Sequence, residues 1–126
     1  MANNIGNLQN KDGDLLFPNN INVITNSNGT AYQFPSGLMI CTGSGSGLDG
    51  GTRAINFAAS FISVPIVTCS AVSAVGNPDN YIIVSQITSV VTTGMSVTIW
   101  SGSAPGVVNF AKGGDPFNYI AVGNWK

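Results

Sequence analysis

The sequence predicts an all-β protein, an antiparallel β-sandwich of about six to seven strands with an extended N-terminal arm. From about Thr30 onward, segments rich in Val, Ile, Thr and aromatics are separated by clusters of Gly, Asn, Asp and Pro, as strands are separated by turns. Within several of these segments the side chains alternate with period two. No stretch repeats its apolar residues at helical spacing. A chain of 126 residues has room for one domain. At that size it can bury roughly two-thirds of its unfolded surface, enough for a single core.

Residues 1–30 read as an arm: Asn residues cluster, Lys11-Asp12-Gly13-Asp14 forms a turn, and Pro18-Asn19-Asn20 forms a break. Two apolar bursts, Leu15 to Phe17 and Ile21 to Ile24, are long enough to dock on something but too short for a core of their own. Residues 31–126 read as the sandwich, with strands at Tyr32 to Phe34, Gly37 to Gly43, Thr52 to Ala58, Val64 to Val72, Tyr81 to Thr88, Met95 to Ser101 and Phe117 to Trp125. In the third of these, Ile55 and Phe57 oppose Ala54, Asn56 and Ala58. In the fourth, Val67, Cys69 and Ala71 oppose Ile66, Thr68 and Ser70. The fifth is apolar on both faces, as in a strand between two packed layers. In the last, Phe117, Tyr119, Ala121, Gly123 and Trp125 oppose Ile120 and Val122. Ile120 and Val122 are expected in the protomer core and the aromatic face against a neighbouring chain or under the cover of an adjacent loop, so that loss of Trp125 and Lys126 is expected to impair assembly more than folding.

If strands alternate in direction, segments 44–51, 73–80 and 102–116 share one pole, while the short connections Ala59 to Ser63 and Ser89 to Gly94 cap the other. Strict alternation also brings the arm in at the long-loop pole, which leaves open which pole is exposed.

Composition narrows function. Charged residues are 7% of the chain against 44% hydrophobic, so solvation comes from neutral Gly, Asn, Ser and Thr. Mean hydropathy is +0.27 and formal net charge is −1, the opposite of the low-hydropathy, highly charged signature of disorder. Four scattered cations, Lys11, Arg53, Lys112 and Lys126, form no basic patch, so nucleic acid is excluded as a partner. There is no His and no Glu, which removes His-based catalytic triads and the usual general base near neutral pH, so no enzyme is expected. No apolar run approaches about 18 residues and the opening residues lack a basic leader and an apolar stretch, so neither membrane insertion nor a Sec signal is expected.

Gly45, Gly47 and Gly50 match GxGxxG, but a strand follows where a dinucleotide site needs a helix, so a hairpin loop is the better reading. Asp12-Gly13-Asp14 lacks the later ligands of a calcium loop. Cys41 and Cys69 lack zinc spacing and read as two buried thiols, with a disulfide as the alternative. The Asn28-Gly29-Thr30 sequon is read as incidental. No cofactor and no metal are expected. One constellation fits glycan binding: the loop residues Asp49, Asp79 and Asp115, with Asn80, are of the kind that accept hydrogen bonds from sugar hydroxyls, and Tyr81, Trp100 or Phe110 would supply an apolar platform for a sugar ring. The competing assignment is that these Asp, Asn and Gly residues simply make turns.

The order of segments from residue 29 onward resembles the C-terminal tip domain of bacteriophage and prophage tail fibres. The resemblance is carried by Gly29 to Ile40 (GTAYQFPSGLMI), by Ile55 to Phe61 followed by Val64-Pro65-Ile66-Val67, by Thr93-Gly94-Met95-Ser96-Val97, and by the ending Phe117 to Lys126 with its Ala-x-Gly-x-Trp. The same plan is similar to that of H-type lectins, which are trimeric GalNAc-binding proteins. The lectin sites use a His that is absent here, so a GalNAc site does not carry over. Asn10 to Pro18 is similar to openings of virion proteins. The resemblance implies a virion fibre or knob, a homotrimer whose arm meets other virion proteins and whose sandwich is a receptor-binding tip for a host surface polysaccharide. The alternative is a capsid- or tail-attached fibre or decoration protein that trimerises without a specific ligand. Whether the chain is complete or a piece of a longer fibre stays open.

Overall fold

A computed structural model describes residues 8–9, 15–17, 20–72, 81–103 and 111–126. Eleven strands are present among them: β1 (Leu8–Gln9), β2 (Leu15–Phe17), β3 (Asn22–Asn26), β4 (Gly29–Gln33), β5 (Leu38–Ser46), β6 (Arg53–Asn56), β7 (Ile66–Ala71), β8 (Tyr81–Val91), β9 (Gly94–Ser103), β10 (Ala111–Lys112) and β11 (Pro116–Asn124). β1 and β2 pair with each other. One sheet has the order β3-β4-β5-β11-β7, and in the other β9 pairs β8 along one side and β6 and β10 along the other. Every pairing is antiparallel, and the two sheets form the expected sandwich.

The core lies between the sheets, where period-two alternation sends one side of each strand inward. Met39 and Cys41 of β5, Val97 and Ile99 of β9, and Phe117 and Ala121 of β11 are fully buried. Of the faces that alternation separates, the sets Ile55 and Phe57, and Val67, Cys69 and Ala71, are those that pack on this core. The two faces of β11 are also divided as predicted, but their destinations are reversed. Phe117, Tyr119 and Ala121 are 0%, 3% and 0% exposed, whereas Ile120 and Val122 are 49% and 38% exposed. The cause lies on the neighbouring strand. Tyr119 pairs with Gly43 and Phe117 with Gly45, and the missing side chains leave the space that the rings fill. A Cβ at Gly43 would lie 2.5 Å from the Tyr119 hydroxyl oxygen, and one at Gly45 would lie 2.7 Å from the Phe117 ring. Trp125 is likewise held within its own chain, its indole Nε1 donating to the Phe34 carbonyl (2.8 Å) and its backbone N–H to the Gly37 carbonyl (2.9 Å). Of the two covers expected for Trp125, the adjacent loop is the one these bonds provide, through the β4–β5 connection.

β8 differs from expectation as well. Its inward residues Ile83 and Ile87 pack on the core, but Ile82 and Val84 on the other face are 40% and 45% exposed because only one layer covers this strand. Its edge lies beside β7, where the Ser85 hydroxyl donates to the Cys69 carbonyl (2.8 Å). The opposite side is tied by Asn26 Nδ2 donating to the Ala58 carbonyl (2.9 Å) and by the Tyr119 hydroxyl donating to the Asn28 carbonyl (3.0 Å). Phe57 and Phe61, edge-to-face at 5.5 Å, plug the core from the β6–β7 connection. Cys41 and Cys69 are free thiols. Burial raises the pKa of both thiols and of the Tyr119 phenol.

Asn22–Asn26, within the stretch read as an arm, is an edge strand of the five-stranded sheet. It forms a hairpin with β4 through Ser27-Asn28 and Gly29, whose φ of 127° favours glycine. This extra strand reverses the predicted side of arm attachment. Asn22 pairs with Gln33, which pairs with Met39, so the chain joins the sandwich at the pole of the short connections.

Candidate functional site

The opposite pole is built from the ends of β5, β7 and β9 and the starts of β6, β8 and β11. Ser46 pairs with Pro116, Ala71 with Phe117, and Tyr81 with Ser103. The loops there are stapled by backbone bonds: Gly47 N–H to the Asp115 carbonyl (2.9 Å), Gly50 N–H to the Lys112 carbonyl (3.1 Å) and Gly113 N–H to the Ile99 carbonyl (2.8 Å). Gly47 is required for the close approach, since a Cβ there would lie 2.1 Å from the Gly113 carbonyl oxygen. The GxGxxG match is thus a strand end and turn: Gly45 accommodates a ring, Gly47 a backbone crossing, and Gly50 adopts φ 71°.

This scaffold brings together three of the residues singled out from sequence. The Tyr81 hydroxyl donates to Asp115 Oδ2 at 3.4 Å, and both side chains are half-buried. The Ser101 hydroxyl and the Asp115 carboxylate flank Gly113, where a Cβ would meet them at 2.9 and 3.4 Å. Asp49 is exposed and stands over Gly114, with Oδ1 3.3 Å from the position of a Cβ there. Arg53, in sequence only one of four scattered cations, donates from Nε to the Ser46 carbonyl (3.0 Å) and from Nη2 to the Gly47 carbonyl (3.5 Å). Asp79, Asn80 and Phe110 precede or follow described strands: Asp79 and Phe110 lie outside the described residues, as does Asn80.

Trp100 does not join this group. It projects from the outer face of the four-stranded sheet, half-buried, its Nε1 donating to Gln86 Oε1 (2.9 Å) and the Lys112 ammonium 5.5 Å from its ring centroid. Thr52 and Thr98 hydroxyls meet at 2.7 Å. Sequence alone does not place Lys112 beside Trp100, because the two meet only through the pairing of the two-residue β10 with β9. A further polar recess of about 210 Å³ opens between the β3–β4 turn and β6, lined by Ser27, Asn28, Ser44, Asn56 and Tyr119 among others.

Chemically, the loop pole offers carboxylate acceptors, a phenol donor and a guanidinium already engaged by carbonyls. Such groups can form hydrogen bonds to a polar ligand. Among the described residues no cluster of three or more His, Cys, Asp or Glu side chains could hold a metal ion, and no helix is long and apolar enough to cross a membrane.

No family model matches the chain, and no curated protein matches it. Among solved structures it is similar to a C-terminal fragment, residues 323–701, of the R1 pyocin fibre of P. aeruginosa, with 17% identity and a TM-score of 0.45 over 77% of this chain and 26% of that one. The chain therefore spans about a quarter of the length of that fibre fragment.

Proposed function

We propose that the chain is a non-enzymatic virion fibre or knob protein whose sandwich is a receptor-binding tip for a host cell-surface polysaccharide. One observation carries the proposal: Asp49, Tyr81 and Asp115 gather at the pole opposite the one where the chain joins the sandwich. An arm attached to a particle at Asn20–Ile21 would hold the short-connection pole toward the particle and direct the loops outward. The ordered motifs of residues 29–126 that resemble fibre tips support the same reading. In it the chain is a homotrimer and residues 1–19 engage other virion proteins. Each weak sugar contact is then multiplied by three linked sites. The test is binding of labelled protein to a panel of bacterial strains before and after surface polysaccharide is stripped. Binding that stripping abolishes is expected, and binding that survives stripping would refute a polysaccharide receptor.

A purely structural role, trimerisation without a specific ligand, draws on a different observation, the apolar outer face of the five-stranded sheet. That role predicts no binding to any strain at high avidity.

A further inference from the structure

We propose that the outer face of the five-stranded sheet is a contact between copies of this chain. Register places one apolar residue from each strand in a single row across the sheet, Val23–Tyr32–Ile40–Val122–Ile66. Four of the five are highly exposed for large apolar side chains, Ile66 at 79%, Val23 at 53%, Val122 at 38% and Tyr32 at 38%, and Ile40 between them is half-buried. Ile120 in the adjacent row, between Thr42 and Thr68, is 49% exposed. A contiguous patch of this kind on a folded domain marks an interaction surface.

The chemistry of the face identifies the occupant as a second copy. The outward positions of all five strands contain no Asp, Glu, Lys, Arg or His, only apolar residues with Thr, Ser, Asn and Pro. A charge-free face meets its own copy without like-charge repulsion, and it offers nothing to an acidic or basic partner. The outer face of the other sheet carries Lys112 beside Trp100, which would oppose its own copies. The size also fits. Five strands about 4.8 Å apart and about six residues of roughly 3.3 Å each make a face of roughly 500 Å² in projection. Two such faces bury on the order of 1,000–1,500 Å² of accessible surface, reaching the range of about 1,200–2,000 Å² typical of stable interfaces. The proposal draws on the fibre reading only for its threefold symmetry.

Sedimentation of the full chain tests it, comparing wild type with Ile66→Lys/Ile120→Lys and, on the other sheet, Ile82→Lys/Val84→Lys. Wild type is expected at a multiple of its 12.9 kDa protomer mass, the first variant as a folded monomer by circular dichroism, and the second at the wild-type mass. Should the first variant fail to fold, Ile66→Thr/Ile120→Thr keeps the β-branched shape and is expected to weaken self-association at least about tenfold. A monomeric wild type at about 100 μM would overturn the proposal and leave residues 1–19 as the cover of this face. So would a threonine variant that associates as wild type does, or loss of assembly confined to the other sheet's variant. A dimer abolished by the Ile66 and Ile120 changes supports the interface while overturning the threefold assembly, so the two readings fail separately.

Discussion

Gly45→Ala adds one methyl group at a strand position where a small gain is the ordinary result. Replacing glycine at a permissive φ stabilises by about 0.4–1 kcal/mol, chiefly by restricting the unfolded chain. Here the methyl carbon would lie 2.7 Å from Phe117 Cζ and 3.2 and 3.3 Å from two further ring carbons. Phe117 is fully buried, so its ring has no free volume to swing into, and overpacking of such a core costs about 1–3 kcal/mol. The opposing terms leave a net loss of about 1–2 kcal/mol, which for a domain of this size lowers Tm by roughly 3–10 °C. Urea unfolding at one protein concentration, followed by Trp fluorescence, measures it. Phe117→Leu shortens the ring in the same space, so Gly45→Ala should cost less in that background, with a coupling of at least about 0.5 kcal/mol. A neutral or stabilising Gly45→Ala, or additivity within about 0.3 kcal/mol, would refute the account of why the aromatic face of β11 is the core face.

Phe117→Ala should cost about 3–5 kcal/mol, while Ile120→Ala on the same strand, 49% exposed, should cost under about 1 kcal/mol in dissociated protomers, as thermal melts at low concentration would show. Tyr119→Phe removes the hydroxyl that donates to the Asn28 carbonyl and should cost about 0.5–1.5 kcal/mol by the same assay. Trp125→Phe removes the indole bond to the Phe34 carbonyl and should lower protomer stability by a similar amount even where the chain is monomeric. Burial raises the thiol pKa values of Cys41 and Cys69 above the ordinary 9.0. The unfolded chain therefore releases these protons first as pH rises. Their contribution is complete below about pH 9 and declines above it. Melts should show Tm steady from about pH 6 to 8 and falling above 9, with a shallower fall in Cys41→Ala/Cys69→Ala.

The strands of the sandwich were legible because burial on one side of a sheet imposes period two, and the runs at Thr52 to Ala58 and Val64 to Val72 show it plainly. β3 was not, because NVITN sits among Asn residues that suggest loops and shows only one half-buried apolar residue, Ile24. That one strand decided the pole at which the chain joins the sandwich. The faces of β11 were separated by alternation, but alternation carries no sign. Two apolar sets competed, and Gly43 and Gly45 on a strand more than 70 positions away admitted the larger. Alternating glycines at 43, 45 and 47 and alternating aromatics at 117 and 119 are a readable signal once β5 and β11 are paired. At the loop pole, the Asp residues were visible as residues. Their grouping was not, since Tyr81 and Asp115 meet only when β8 and β11 bring their starts to one end.

The most direct measurement of receptor binding compares wild type with Asp49→Asn/Asp115→Asn on bacterial cells, by titration of labelled protein with circular dichroism and sedimentation as controls. The substitutions keep side-chain size and leave the backbone bond between Gly47 and Asp115 intact while replacing charged acceptors with neutral ones. A folded, equally assembled variant that binds at least about tenfold more weakly is the predicted result. A variant that binds as wild type does would contradict the assignment of the receptor site to the loop pole.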